Sequence, residues 1–190
     1  MRKKLGIVGL YEHADEKTGG ILEDIEGASD LKIMAVSAHS AIPLYKDAIV
    51  TAMVKGNCCV KVLIARAKSR FVKDIERIEG PGRNGQISAE IDETKSMLED
   101  IARKAHGQSR ARSRKTGRIW IETYSTEFRG SLVICNNSRV WYTPGLPPRK
   151  AVESLSFELK LAEGGLLDNC VRHFDAVWAR HISQAEEIDP

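Results

Sequence analysis

Apolar positions follow two rhythms along this chain. "LGIVGL" (residues 5–10) is a short apolar run suited to a buried strand, and "TGGILEDIEGA" behind it predicts a short helix ending near Gly27. "DLKIMAVS" reads as a second strand, and "SAIPLYKDAIVTAMVKG" as a helix with Pro43 where helices begin and Gly56 where they stop. "CCVKVLIA" is a third strand, β-branched and continuously apolar, as expected when helices cover both faces of a sheet. Strand, helix, strand, helix, strand predicts a parallel α/β layer.

"RFVKDIERIEG" predicts another helix, and Ile87, Ile91, Thr94, Leu98, Ile101 and Ala105 form one stripe at four-three spacing on the next. Glu99 with Arg103 and Asp100 with Lys104 stand four apart as exposed ion pairs. That helix is expected to stop at "HGQSRARSRKTG" (106–117), a basic, flexible loop without hydrophobic anchors. The rhythm then turns to strands: "RIWIETYS", "GSLVICN", "SRVWYT" and "ESLSFELK". "LLDNCVRHFDAVWARH" closes as an amphipathic helix through Leu167, Val171, Phe174 and Trp178. No internal repeat or domain boundary interrupts the pattern, so residues 1–190 are read as one α/β domain.

Composition adds little except through charge. With 42% hydrophobic and 29% charged residues, the 190-residue chain has the make-up of a soluble globular protein. No apolar run reaches the roughly 20 residues that span a bilayer, and "MRKKLGIVGLYEH" is too polar for a secretory signal. A cytoplasmic protein with no membrane partner is expected. Cys58, Cys59, Cys135 and Cys170 show no zinc-ligand spacing, so reduced thiols and neither metal nor cofactor are expected. The net charge of +3 is local: no acid lies between Asp100 and Glu122, while seven basic residues do.

Several motifs invite chemistry. "GPGRNG" (80–85) matches a dinucleotide-binding string, but a helix precedes it and Pro81 has no amide hydrogen, so it reads as a flexible connection. Arg110, Arg112, Arg114 and Lys115 could hold phosphates or nucleic acid, although no aromatic residue interleaves them; a solvated turn is the commoner role. "SAHSA" follows the second strand, where ligands gather in open α/β sheets. Ser37, His39 and Ser40 therefore form a candidate site, with His13 and Arg66 as neighbours. Recognition suits them better than catalysis, since spacing names no acidic residue to orient the histidine. His173 and His181 lie over two helical turns apart and cannot share a metal through that helix alone.

The order of elements, the "LGIVGLYEH" opening, "KIMAVSAHSA", "CVKVLIA" and the ending "SLSFELKLAEGGLLDNCVRHFDAVWARH" together resemble the phospholipase D-like superfamily. They are similar to its degenerate members, which accompany DNA-binding domains in prokaryotic regulators. The resemblance implies an α/β sandwich with a mixed sheet and helices on both faces. It also implies a homodimer, as single-dyad members commonly pair. Active members carry His-x-Lys-x4-Asp on the hairpin that corresponds to "FRGSLVICNNSRVWYT". If the acid position falls on Asn136, the lysine falls on Ser131 and the histidine on Arg129; one residue later the positions are Leu132 and Gly130. Neither register holds a histidine or lysine.

Arginine has no lone pair to attack phosphorus, and serine cannot neutralise an equatorial oxygen as lysine does. What remains suits binding: Arg129, Ser131 and Asn136 are good partners for a phosphate, carboxylate or sugar. The resemblance gives Glu158 a place in the same region. The expected function is a catalytically degenerate phospholipase D-like module, sensing a small anionic or polyhydroxylated ligand and needing no cofactor. Phosphodiesterase or nuclease activity with a non-standard site, and nucleic-acid binding through the basic loop, are the alternatives.

Overall fold

The computed structural model describes residues 5–12, 14–111, 115–125, 128–145, 154–162, 165–181 and 185–188. Eight strands, β1 (Ile7–Tyr11), β2 (Asp30–Ala35), β3 (Cys59–Ala65), β4 (Arg118–Tyr124), β5 (Gly130–Cys135), β6 (Arg139–Pro144), β7 (Ser156–Lys160) and β8 (Glu186–Glu187), form one sheet. Their spatial order is β1-β7-β6-β5-β2-β3-β4-β8. The helices are α1 (Ala14–Glu26), α2 (Ile42–Gly56), α3 (Arg70–Glu79), α4 (Gln86–Arg110) and α5 (Leu166–His181). A 3-10 turn, Pro81–Arg83, joins α3 to α4.

The sheet is mixed. Strands β2, β3 and β4 run parallel, while β5, β6, β7 and β1 continue from β2 in antiparallel succession. The expected parallel layer therefore needs correction. β1 is not beside β2; it pairs antiparallel with β7 at the far edge, and the third parallel strand is β4. β1 shows why: its residues alternate between half-buried and exposed, as on an edge strand covered on one face, whereas β2 is buried almost throughout.

Helices cover both faces. Asp24 of α1 accepts from the Trp141 indole at 2.8 Å, placing α1 on one face, and α2 packs against α1 and α4. Asp175 of α5 meets Lys32 at 2.7 Å on the other face, because Lys32 and Ile33 point to opposite sides of β2. On α5, Phe174 is fully buried and stacks on Trp178 with ring centroids 6.0 Å apart. Burying a side chain of that size contributes about 2 kcal/mol.

The stripe from Ile87 to Ala105 is buried as expected, and it continues to Ser109, four residues on. α4 therefore runs through Arg110 and takes the first half of the expected loop into helix. The expected ion pairs are also redrawn: Arg103 pairs with Asp100, and Lys104 reaches Asp47 on α2 at 2.7 Å. No helix among the described residues is long and apolar enough to cross a membrane.

All four thiols are free. Burial pushes Cys58 and Cys135 up to about 12 and Cys170 up to about 11, so they behave as small apolar groups near neutral pH.

Candidate functional site

The loop after β2 and the segment entering β5 meet because Ala35 lies opposite Ser131 in the antiparallel β2–β5 pairing. Between them opens a cavity of about 360 Å³. Its floor comes from Val36, Ser37, Ala38, His39 and Ser40 on one side and Arg129, Gly130 and Ser131 on the other. Ile75, Ile78, Glu79, Arg83, Ile87 and Glu90, from α3, the 3-10 turn and α4, complete the wall.

The backbone is shaped for this meeting. Ala38 takes a left-handed φ of 58°, and its carbonyl accepts from the amides of Ala41 and Ile42, turning the chain into α2. A non-glycine residue in that conformation costs about 1 kcal/mol and persists only where its surroundings hold it. On the opposing side, a side chain at Gly130, whose φ is 151°, would lie 2.7 Å from the Thr143 carbonyl oxygen. The strand can pass this close only as glycine, and Arg129 just before it is thereby set at the cavity edge.

Charge around the cavity is ordered. Arg83 donates to Glu79 at 2.8 Å and to Glu90 at 3.2 Å, and the Ser37 hydroxyl donates to the other Glu90 oxygen at 3.0 Å. Thr94 donates to the Ser37 carbonyl at 2.7 Å, tying the same loop to α4. His39 lies 2.7 Å from Glu93, with both side chains substantially exposed. Arg129, half-buried, makes no ion pair or side-chain hydrogen bond among the described residues, and neither does the Ser131 hydroxyl. α2 starts beside the cavity at Ala41 without a side-chain cap, so its dipole adds a favourable field for a negative group.

Of the residues singled out in the sequence, the structure brings Ser37, His39, Ser40, Arg129 and Ser131 together. Arg129 and Ser131 share the cavity face, and Leu132 lines an apolar cleft on the opposite face. Asn136 itself is elsewhere. The strand from Ser131 to Cys135 spans about 13 Å, and Asn136 follows it at the far end. There its side-chain oxygen accepts from the Ser29 amide at 2.9 Å, the Ser29 hydroxyl at 3.0 Å and the Asp30 amide at 3.1 Å. Asn136 and Asn137 both adopt left-handed φ, 53° and 51°, as a tight hairpin turn requires. Asn136 is thus a structural clamp and not a cavity residue.

Two further expectations need correction. Glu158 is occupied in a cluster on β6, β7 and β1, bonded to Arg139 and to the Tyr11 hydroxyl, the latter at 2.9 Å. It does not line the cavity. Arg66 is exposed at the end of β3, and it too lies outside the cavity. His13, Arg112 and Arg114 lie outside the described residues. Arg110 belongs to the end of α4, and Lys115 borders a separate polar cleft with His106 and Arg118 near the N-terminal end of β4.

Arg83, Glu79 and Glu90 were missed by the sequence reading. Their signal was the "GPGRNG" segment, whose glycines Gly80 and Gly85 take φ of 111° and 75°. Those left-handed turns fold α3 and α4 over the end of β2, and Glu76 steadies the junction by accepting from the Ile87 amide at 3.0 Å.

No family model matches the sequence, and no curated protein matches it. The structure is similar to that of Nuc from Salmonella typhimurium, a phospholipase D family member, with TM-score 0.52, 14% identity, and 91% of this chain and 95% of Nuc covered. It is also similar to TrmBL2, an archaeal chromatin protein with a novel mode of DNA binding: TM-score 0.50, 14% identity, covering 92% of this chain and 53% of that one. NucT from Helicobacter pylori aligns at TM-score 0.47 and 9% identity over 91% of this chain and 96% of NucT. The likeness to Nuc, over nearly the whole length of both chains, shows that the chain has the phospholipase D-like fold.

Proposed function

We propose that this domain is a sensing or regulatory module that binds a small anionic or polyhydroxylated ligand in the Arg129 cavity. It does not cut phosphodiesters by a histidine–lysine route. The observation that carries this reading is Arg129, a half-buried guanidinium beside the Ser131 hydroxyl with no partner among the described residues. An arginine so placed keeps its forked donors for an incoming anion, and a hydrogen bond to such a charged group contributes about 2 kcal/mol. The cavity volume, about 360 Å³, suits a metabolite-sized ligand.

Thermal-shift screening against phosphorylated metabolites, sugars and nucleotides tests the proposal. A ligand at 100 times its dissociation constant adds about 2.7 kcal/mol, which raises the midpoint of a chain this long by about 5–10 °C. Arg129→Ala should abolish the shift. A shift that survives the substitution moves the site elsewhere.

The likeness in fold to TrmBL2, a DNA-binding chromatin protein, supports a second reading in which Arg110, Arg112, Arg114 and Lys115 bind nucleic acid. Its signature is affinity that falls steeply with salt and disappears when these four residues are neutralised. Binding that is insensitive to salt removes it.

A further inference from the structure

The charges on the cavity's two sides differ, and the difference narrows the ligand. On one side stands Arg129, a single cation with no partner among the described residues. On the α3–α4 side Arg83 is shared by Glu79 and Glu90, leaving one negative charge in excess among side chains 18–23% exposed. Only one Glu79 oxygen is engaged by Arg83; the other makes no hydrogen bond among the described residues. Ile75, Ile78 and Ile87 supply an apolar wall to the same cavity, and Ile78 is 47% exposed.

We infer that the cavity takes a small amphiphilic zwitterion. Its monoanionic group, a carboxylate, rests on Arg129 and Ser131, its ammonium turns toward Glu79, and its apolar body lies against the three isoleucines. This rests on the reading of Arg129 as the anchor. A dianion is disfavoured because its second charge meets no free cation: Arg83 is already held by two carboxylates, and the excess negative charge beside it repels another anion.

Calorimetric titration of the full chain with four probes tests the assignment. The probes are L-leucine, isocaproate (the same skeleton without the amine), isoamylamine (without the carboxylate) and inorganic phosphate. Leucine should bind about tenfold tighter than either truncated probe, the factor expected for one lost charge-assisted hydrogen bond, and phosphate should not compete. Glu79→Gln should lower leucine affinity to that of isocaproate, and Arg129→Ala to that of isoamylamine. If isocaproate or phosphate matches leucine while Arg129→Ala still abolishes binding, the zwitterion assignment is overturned and the anchor stands. If leucine binds equally well to Arg129→Ala, both fail. Absence of binding by all four probes overturns the zwitterion assignment, and the metabolite and sugar screen decides the anchor separately.

Discussion

The Ser37 hydroxyl donates to Glu90 Oε2 at 3.0 Å, joining the loop after β2 to helix α4 across 53 residues of sequence. Glu90 receives Arg83 through its other oxygen, so one carboxylate spans the loop, the helix and the 3-10 turn. This bridge ties the cavity wall together beside its apolar contacts. Ser37→Ala should cost about 1 kcal/mol of stability and weaken ligand binding. Arg83→Met should weaken binding further, because Glu79 and Glu90 lose the guanidinium that holds them in place in the wall. A double-mutant cycle with Glu90→Gln checks the coupling: additive effects would show that Ser37 and Glu90 act independently.

Asn136 makes a contrasting case. Its side-chain oxygen satisfies the Ser29 amide, the Ser29 hydroxyl and the Asp30 amide at the end of the sheet remote from the cavity. Asn136→Ala should destabilise the fold by about 2 kcal/mol, Asn136→Asp should lose less because the acceptor remains, and ligand affinity should be unchanged in both. Urea unfolding combined with ligand titration separates the two effects.

Lys32 is 4% exposed, yet it carries an ammonium. Asp175 at 2.7 Å and Asn137 at 2.9 Å satisfy it, and its Nζ lies 5.7 Å from the centroid of the Phe174 ring. Removing Asp175 leaves the buried charge only the more distant Asp30 carboxylate, at 3.9 Å, whereas Lys32→Met removes the charge itself. Asp175→Ala is expected to cost about 3 kcal/mol and Lys32→Met distinctly less. Equal losses in chemical denaturation would place the energy in packing and not in the ion pair.

Alkaline pH should weaken the fold. Burial raises the Cys58 and Cys135 thiols from 9.0 to about 12. Between those values the unfolded thiols have released their protons while the folded ones keep them, so the folded state binds more protons. The stability is fully present below about pH 9 and falls as pH rises toward 12, by about 1.4 kcal/mol per pH unit for each thiol. Tyr45, raised by burial to about 12, adds in the same direction above pH 10.0. Urea unfolding at a series of pH values should show this slope, and Cys135→Ala should flatten it.

Much of the fold was legible because its elements obey local rules. The continuous apolarity of "CVKVLIA", Pro43 at the start of α2 and the four-three stripe of α4 each act over a few residues, and each appears where expected. The antiparallel pairing of β5 with β2 sets Arg129 and Ser131 at the cavity. What was not legible depends on distant pairing. Local pattern cannot say that β1 joins β7 instead of β2, or that Glu158 is taken by Arg139 and Tyr11. Nor can it show that Asn136, five positions from Ser131, is carried by an extended strand to the other end of the sheet. Arg83 was hidden for the same reason, because only the fold of α3 over β2 brings it to the cavity.

Ligand binding at the Arg129 cavity without phosphodiester cleavage is the proposal on which the predictions above rest. Among the described residues lining the cavity there is no lysine, and His39, 2.7 Å from Glu93, is the one imidazole. The most direct test is incubation of the purified chain with a generic phosphodiester and with single-stranded DNA, alongside a His39→Ala control. No turnover above the control is expected; hydrolysis by the unmodified chain that vanishes in His39→Ala would show that the site is catalytic.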